Sequence, residues 1–180
     1  MPTGTRALCA FAVLTLAIIG RPAIAQQAGP DTVAPRIAAW RITDGNGIRL
    51  DGSLDEPAWS KAARISGFRQ QEPLEGEPAT EDTEVRVLYD GEHLYIGVWA
   101  LDSQPARIIG RQLERDATLG LSRFGPSGGD DAIEVILDTF RDRRNAYYFA
   151  TNPRGVLVDG LITDESEDID LNWDAVWDVR

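Results

Sequence analysis

A period of two in the hydrophobic residues limits what this chain can fold into more than any other feature. Between residues 83 and 90, alternate side chains form two sets, and one of these sets is Val85, Val87 and Tyr89. Successive side chains of a β-strand point to opposite faces of its sheet, so this pattern predicts a strand. Asp90-Gly91 is a hairpin signal, and residues 93–101 return as a second strand rich in β-branched and aromatic residues.

The same kind of segment recurs along the chain, with turn signals about every ten residues. Further strands are predicted at residues 37–42, 48–50, 131–140, 146–151, 156–163 and 173–179. Asp55 is expected to cap a short helix with Pro57 in its first turn, and this helix would turn Trp59 inward. No helical segment is long enough for the crossovers of a parallel sheet. The sequence therefore predicts an all-β protein, an antiparallel β-sandwich with one short N-terminal helix.

The first 25 residues show the three parts of a cleavable secretion signal. Arg6 precedes an apolar run over residues 7–20, and Ala23-Ile24-Ala25 supplies the small residues that a signal peptidase requires. The run is 14 residues long, whereas a membrane-spanning helix needs about 20. We expect residues 1–25 to be a signal peptide, 26–36 a linker and 37–180 a domain exported to the periplasm, the outer membrane or the cell exterior.

Charge and cysteine content restrict the partners of this chain. The formal net charge is −11, and cleavage of the signal would remove Arg6 and Arg21, which gives −13. Such a surface repels phosphate backbones, so nucleic acid is not expected, whereas a neutral sugar or a calcium ion is compatible. The one cysteine, Cys9, lies within the signal. The mature chain therefore has no disulfide framework and depends on a hydrophobic core.

Four segments, in this order, resemble carbohydrate-binding module family 9. They are LDGSLDEPAW (50–59), VRVLYD with LYIGV (85–90 and 94–98), DDAIEVILD (130–138) and YYFATNPRG (147–155). The resemblance runs from about Ile48 to the end of the chain. It implies a jelly-roll type of β-sandwich that binds the ends of glycans without catalysis, in some members with structural calcium.

The ending NWDAVW (172–177) further resembles a bacterial subgroup of these modules. In that subgroup the module follows a signal peptide and precedes a large region similar to an outer-membrane β-barrel. The subgroup continues with a strand of the type Gly-Trp-x-x-Glu-x-x-Ile-Pro-Phe. We therefore expect this chain to be truncated at its C-terminus, with the β-barrel region of the same longer protein as a partner.

The resemblance also implies the binding residues. Two tryptophan rings would clamp the sugar ring while a Glu and an Asn hydrogen-bond to its hydroxyls. Glu134 and Asn152 match that Glu and that Asn. Gly128 or Gly129 stands where the first clamp tryptophan is expected, and Ala150 stands in place of an arginine. The second clamp tryptophan would lie beyond the end of this chain.

Other tryptophans are candidates for the same role. Trp173 and Trp177 are four residues apart, so in a strand they would share one face, as a sugar platform or as part of the core. Trp59 and Trp99 lie in apolar segments, and we expect them in the core.

Acidic residues at two places are candidates for structural calcium, which takes about six to eight oxygen ligands. These residues are Asp130, Asp131, Asp168 and Asp170. The last two belong to an acidic loop over residues 164–170, which lacks the glycine and the final glutamate of an EF-hand. A solvated loop is the alternative, and no other cofactor is expected.

The sequence thus favours a non-catalytic carbohydrate-binding module associated with glycan binding and carbohydrate catabolism. One alternative is a structural or interaction domain that caps an outer-membrane β-barrel and has lost the sugar site. Another is part of an O-glycosyl hydrolase, which needs two carboxylates at a defined separation. In so acidic a chain, a pair such as Glu134 and Asp138 has no specificity. His93 is the only histidine, which argues against a zinc site.

Overall fold

The computed structural model describes residues 36–43, 47–117, 119, 129–163 and 168–180. The predicted signal peptide, all but the last residue of the linker, Gly128 and residues 164–167 lie outside this part. The described residues form two four-stranded β-sheets, with one short helix and one 3₁₀ turn at Pro105–Arg107. Within them no helix is long and apolar enough to cross a membrane. The predicted all-β, sandwich-like fold with one short helix is confirmed.

The first sheet is built around a hairpin. Its strands are β1 (Trp40–Arg41), β2 (Arg64–Ile65), β3 (Thr83–Tyr89) and β4 (Leu94–Ala100). β3 pairs with β4 along its whole length, as the period of two and the turn at Asp90 predict. On its other edge β3 pairs with β2 near one end and with β1 near the other. The β1 pairing is parallel, which differs from the antiparallel arrangement expected throughout.

The second sheet is a meander in which every neighbouring pair is antiparallel. Its strands are β5 (Ile133–Leu137), β6 (Ala146–Thr151), β7 (Val158–Thr163) and β8 (Asp168–Asp170). The predicted bounds of β6 are confirmed, whereas β5 is shorter than the predicted strand because the carboxylates at both its ends bond to neighbouring loops. β8 lies where a loop was expected. It forms because its backbone pairs with β7.

The helix α1 (Pro57–Lys61) packs Trp59 onto the first sheet. The prediction that Asp55 caps it is wrong: the N-cap is Glu56, which makes no side-chain cap bond. The Glu56 carboxylate instead accepts hydrogen bonds from the Arg49 N–H at 2.9 Å and the Trp59 Nε1–H at 3.0 Å. This carboxylate therefore links the buried Trp59 indole to the segment that precedes the helix.

Two clusters of buried side chains stabilise the described residues, one for each sheet. The buried members of the first are Ala58, Trp59, Ala62 and Leu88. Those of the second are Leu119, Tyr148, Ala150, Val156, Val158 and Ile162. The expectation that Trp59 lies in the core is confirmed, since its exposed fraction is 3%. Trp99 is half-buried and packs against the edge of the first cluster.

Candidate functional site

The strand register assigns each residue of the second sheet to one of two faces. Tyr148 and Ala150 of β6 belong to the buried cluster, so their face is the core face of this sheet. Tyr147 and Phe149 alternate with them and therefore lie on the opposite face. Glu134 pairs with Ala150 across β5 and β6, which puts it on the core face.

Four aromatic side chains meet on the opposite face, and we call them the aromatic surface: Tyr147, Phe149, Trp173 and Trp177. The rings of Tyr147 and Trp173 are stacked, with centroids 5.0 Å apart and an interplanar angle of 27°. Phe149 meets both tryptophans edge-on, at 6.4 Å from Trp173 and 5.2 Å from Trp177. These separations and angles are favourable for aromatic pairs. The prediction that both tryptophans lie on one surface is confirmed by these contacts.

The segment that carries the tryptophans is extended but is not a strand. Its residues from Trp173 to Arg180 alternate strictly between half-buried and exposed, as the predicted period of two requires. No strand pairing forms over this segment within the described residues. The predicted strand is therefore wrong in its hydrogen bonding, although its side-chain pattern is present. Side-chain contacts hold the segment against the sheet.

Asp159 provides the central contact. This β7 residue has an exposed fraction of 0%, and its carboxylate points to the face that the aromatic surface covers. Oδ2 accepts the Ala175 backbone N–H. Oδ1 accepts Arg115 Nη2 at 2.6 Å and Trp177 Nε1 at 3.2 Å. A side-chain carboxylate thus takes the place of the backbone carbonyl that a neighbouring strand would provide.

Arg115 joins this carboxylate to two more. Its Nη2 also donates to Asp174 Oδ1 at 3.1 Å, and its Nε lies 3.4 Å from Asp116 Oδ2. Asp116 has a φ of 56°, a left-handed conformation that non-glycine residues seldom adopt. Its N–H donates to the Leu157 carbonyl, which ties the long connection between the sheets to the start of β7. Sequence reasoning missed Asp159 and Arg115, although one carboxylate within the apolar segment VDGLI (158–162) was a usable signal.

Trp173 is a member of the aromatic surface with unused hydrogen-bonding capacity. Its side chain is half-buried, and its indole N–H has no hydrogen-bond partner among the described residues. Asp170 and Asp174 lie in the chain on either side of it. The Asn172 side-chain and backbone N–H groups lower the pKa of Asp170 and bond to its Oδ1. Asp170 therefore stays ionised at neutral pH, with its other oxygen available to a ligand.

Glu134 has a different environment from the one expected of a ligand-binding residue on an open surface. On the core face, its Oε1 accepts the Tyr148 hydroxyl at 2.9 Å. Burial, together with this bond to Glu134, raises the pKa of the Tyr148 hydroxyl, so Tyr148 remains a donor. Glu134 is half-buried. Its contact with the buried Tyr148 makes it part of the packing of β5 on β6.

Asn152 is buried, with an exposed fraction of 6%. Its Nδ2 donates to the Gln112 carbonyl at 3.0 Å and to Asp130 Oδ2 at 2.7 Å. Its Oδ1 accepts the N–H groups of Arg154 and Val156. An amide side chain has two donors and two acceptor sites. These four bonds use that capacity, so Asn152 organises the turn after β6. The structure therefore does not bring Glu134 and Asn152 together with the two tryptophans.

The calcium candidates Asp130 and Asp131 bond to the connection between the sheets. Asp130 accepts the N–H groups of Arg111 and Gln112, both at 2.8 Å, and Asp131 accepts that of Ile109 at 2.7 Å. Burial alone would raise the pKa of Asp130, but these N–H groups and Asn152 outweigh it and lower the pKa. The side chain of Asp168 lies outside the described part. Among the described residues, no three acidic, histidine or cysteine side chains form a metal-binding group.

Comparisons with protein-family models, with curated proteins and with solved structures find no match for this chain. The resemblance to carbohydrate-binding module family 9 therefore stays a prediction.

Proposed function

We propose that this chain is a non-catalytic carbohydrate-binding domain of an exported protein, and that the aromatic surface is where it contacts glycan. The observation that carries this proposal is Trp173, a half-buried indole that lies between Asp170 and Asp174 in the chain and whose N–H has no partner among the described residues. A sugar ring has an apolar C–H face that packs on an aromatic ring, and it has hydroxyls that need hydrogen-bond partners. Trp173 offers the first kind of contact, and Asp170 and Asp174 offer the second.

The wider role follows from the expected export of the chain. A domain of this kind holds a glycan close to a larger region that processes or transports it. The partner that we propose is an outer-membrane β-barrel region of the same longer protein, and the compartment is the periplasm or the cell surface. The acidic surface is compatible with neutral glycans. Structural calcium remains part of the proposal only at Asp168 and Asp170, the two ends of β8.

The test is a glycan-array screen followed by calorimetry on the protein and on Trp173→Ala, with and without calcium. Loss of a ring that packs against the sugar is expected to weaken binding about tenfold, which corresponds to roughly 1.4 kcal/mol. Trp40→Ala is the matched control, because Trp40 is 45% exposed and lies in β1 of the other sheet. Equal affinities for the protein and for Trp173→Ala would contradict the proposal.

Glu134 and Asn152 provide a second comparison. Because Asn152 has no hydrogen-bonding capacity left for a ligand, Asn152→Ala is expected to lower stability before it changes affinity. Glu134→Gln keeps the shape of the side chain and leaves an oxygen to accept the Tyr148 hydroxyl. A large loss of affinity in a folded Glu134→Gln protein would move the sugar site to the core face of the second sheet.

A structural or interaction domain is the second candidate function, and one observation favours it. The polar groups of Asp159 and Asn152 are used to hold the segments that pack on the second sheet. A folded protein that binds no glycan on the array would support this candidate, as a periplasmic cap on the β-barrel region.

A further inference from the structure

An open cleft of about 690 Å³ lies on the first sheet, beside the ends of β2 and β3. Its lining includes Arg64, Ser66, Asp82, Thr83, Glu84 and Trp99. Small-molecule sites commonly measure about 300–1,000 Å³ and combine apolar surface with a few polar groups. None of these residues belongs to the aromatic surface, which is on the other sheet. Sequence reasoning assigned Trp99 to the core and the other residues to no site.

One wall of the cleft is held in place by a network of charges. Glu84 Oε1 accepts Arg86 Nε at 2.7 Å and lies 2.6 Å from Arg86 Nη2, while Glu84 Oε2 accepts Arg64 Nη1 at 3.3 Å. Arg86 also donates to the Trp59 carbonyl at 2.6 Å, and its guanidinium lies 5.5 Å from the centroid of the Trp99 ring. The rings of Trp59 and Trp99 meet at nearly a right angle, with centroids 6.2 Å apart. This wall is therefore formed before any ligand binds, which reduces the entropy lost on binding.

The other polar groups of the cleft have bonding capacity to spare. Among the described residues, the hydroxyls of Ser66 and Thr83, the carboxylate of Asp82, and Nε and Nη2 of Arg64 make no side-chain hydrogen bond. They offer both donors and acceptors, which is what a hydroxyl needs, since it donates and accepts at once. The two guanidinium groups and the two carboxylates of the cleft balance in charge. A neutral ligand fits this balance, whereas an anion would meet the net negative charge of the chain.

We infer that this cleft is a second binding site, for a neutral saccharide. Trp99 packs against the C–H face of one sugar ring, and Arg64, Asp82 and Thr83 hydrogen-bond to its hydroxyls. The site is separate from the aromatic surface and does not depend on it. Two sites on one domain would let a single glycan chain, or two neighbouring chains, be held more tightly than either site alone allows.

The test is a titration of the ¹⁵N-labelled protein, followed by NMR, with the neutral disaccharides cellobiose, maltose and lactose and with glucuronate. At millimolar concentrations, at least one neutral disaccharide is expected to shift the Trp99 indole signal and the Ser66 and Thr83 amide signals until saturation. Glucuronate is expected to bind about tenfold more weakly. No shift at these residues with any of the three disaccharides, or tighter binding of glucuronate, would overturn the inference.

Arg64→Gln and Thr83→Val test the assigned contacts. The Arg64 side chain is 66% exposed, and its replacement is expected to leave the fold intact and to weaken binding about tenfold, as for other hydrogen bonds to charged groups. Arg41→Gln is the matched control, since Arg41 is exposed on β1 of the same sheet, outside the cleft. Unchanged affinity in both cleft variants would overturn the inference.

The same spectra separate this inference from the proposed function. Shifts confined to Trp173 and its neighbours would support the aromatic surface and overturn the cleft. Shifts confined to Trp99, Ser66 and Thr83 would support the cleft, and the aromatic surface would then have only a structural role.

Discussion

At the scale of single residues, Asp159 is a fully buried carboxylate, so its place in the fold depends on its hydrogen-bond donors. A buried carboxylate is tolerated only when donors surround it, and three donors reach this one. In Asp159→Asn the side-chain amide has to turn its NH₂ toward one of those donors, and one of the three negative charges around Arg115 is lost. We expect the free energy of unfolding to fall by roughly 2–4 kcal/mol.

Urea unfolding, followed by circular dichroism, measures this change. Asp174→Asn is the control, because Asp174 bonds to the same Arg115 nitrogen but its side chain is 73% exposed. An exposed partner of this kind contributes about 0–1 kcal/mol. Equal losses in the two variants would contradict the central role assigned to Asp159.

Asp90 gives a prediction about acid pH. The Glu92 N–H, the Tyr95 hydroxyl and the His93 N–H lower the pKa of Asp90 from 3.8 to about 2. Because the folded state favours the ionised form of Asp90, the contribution of this carboxylate to the free energy of unfolding is present above pH 3.8. It is lost as the pH falls from 3.8 to about 2. The difference in unfolding free energy between the protein and Asp90→Asn should therefore shrink over this range.

Urea unfolding at a series of pH values measures that difference. Asp178→Asn serves as the control, since Asp178 is exposed and makes no hydrogen bond within the described residues. A difference that stays constant between pH 3.8 and 2 would show that the hairpin does not depend on the charge of Asp90.

The hydrophobic pattern of the sequence predicted the face of the sheet on which a residue lies better than it predicted the hydrogen-bond partners of that residue. The period of two correctly placed Glu134 on the opposite face of β5 from Ile133 and Val135, and it put Trp173 and Trp177 on one surface. It could not show that Tyr148 bonds to Glu134, or that Asn152 is saturated by groups from residues 112 and 130. Those partners are distant in the sequence. The pairing of β5 with β6 brings Glu134 to Tyr148 and residue 130 to Asn152, and Asp130 holds residue 112 there.

At the scale of elements, strands with clear alternation were predicted well and short pairings were missed. β3, β4 and β6 lie within two residues of their expected bounds. β2 is two residues long and depends on its pairing with β3, so no local pattern could indicate it. The expected strand at residues 48–50 does not form, because this stretch bonds through Glu56 to the start of α1.

The packing of α1 on the first sheet gives a prediction at this scale. A Cβ at Gly97 would lie 2.7 Å from Cζ3 and 2.9 Å from Cη2 of Trp59, closer than packed carbon atoms allow. In Gly97→Ala the indole and the helix have to shift, and we expect the free energy of unfolding to fall by about 1–3 kcal/mol. Unfolding followed by tryptophan fluorescence reports both the loss and the change around Trp59.

Gly91→Ala is the control for this substitution, because a Cβ at Gly91 would have no neighbour within 4 Å and its backbone is not left-handed. If Gly97→Ala were as stable as the unaltered protein, the close approach of helix and sheet would not be needed for the fold.

At the scale of the whole molecule, the two buried clusters share no residue. Gly97→Ala acts on the first cluster, whereas Asp159→Asn acts on the second sheet, on the face opposite the second cluster, and the two sites have no common partner. Substitutions at independent sites add within about 0.5 kcal/mol. The double variant should therefore lose the sum of the two single losses in unfolding free energy, measured by the same urea titrations.

A coupling free energy above about 1 kcal/mol in this cycle would contradict the independence of these two sites. It would then point to the connection between the sheets as the route of coupling. Asp130 and Asp131 bind the backbone of that connection, and Asp130→Asn would be the variant to add to the cycle.

The way in which Asp159 holds residues 173–177 has a kinetic consequence. Because side chains rather than paired strands secure this segment, it can leave the sheet while every backbone pair of β5 to β8 stays formed. Its amide protons should then exchange with solvent through a local opening, at a lower free energy than those of β6 and β7. Trp173 and Trp177 move with the segment, so each opening separates the aromatic surface and each closing forms it again. A glycan bound to that surface would hold the segment closed and slow the exchange of its amide protons.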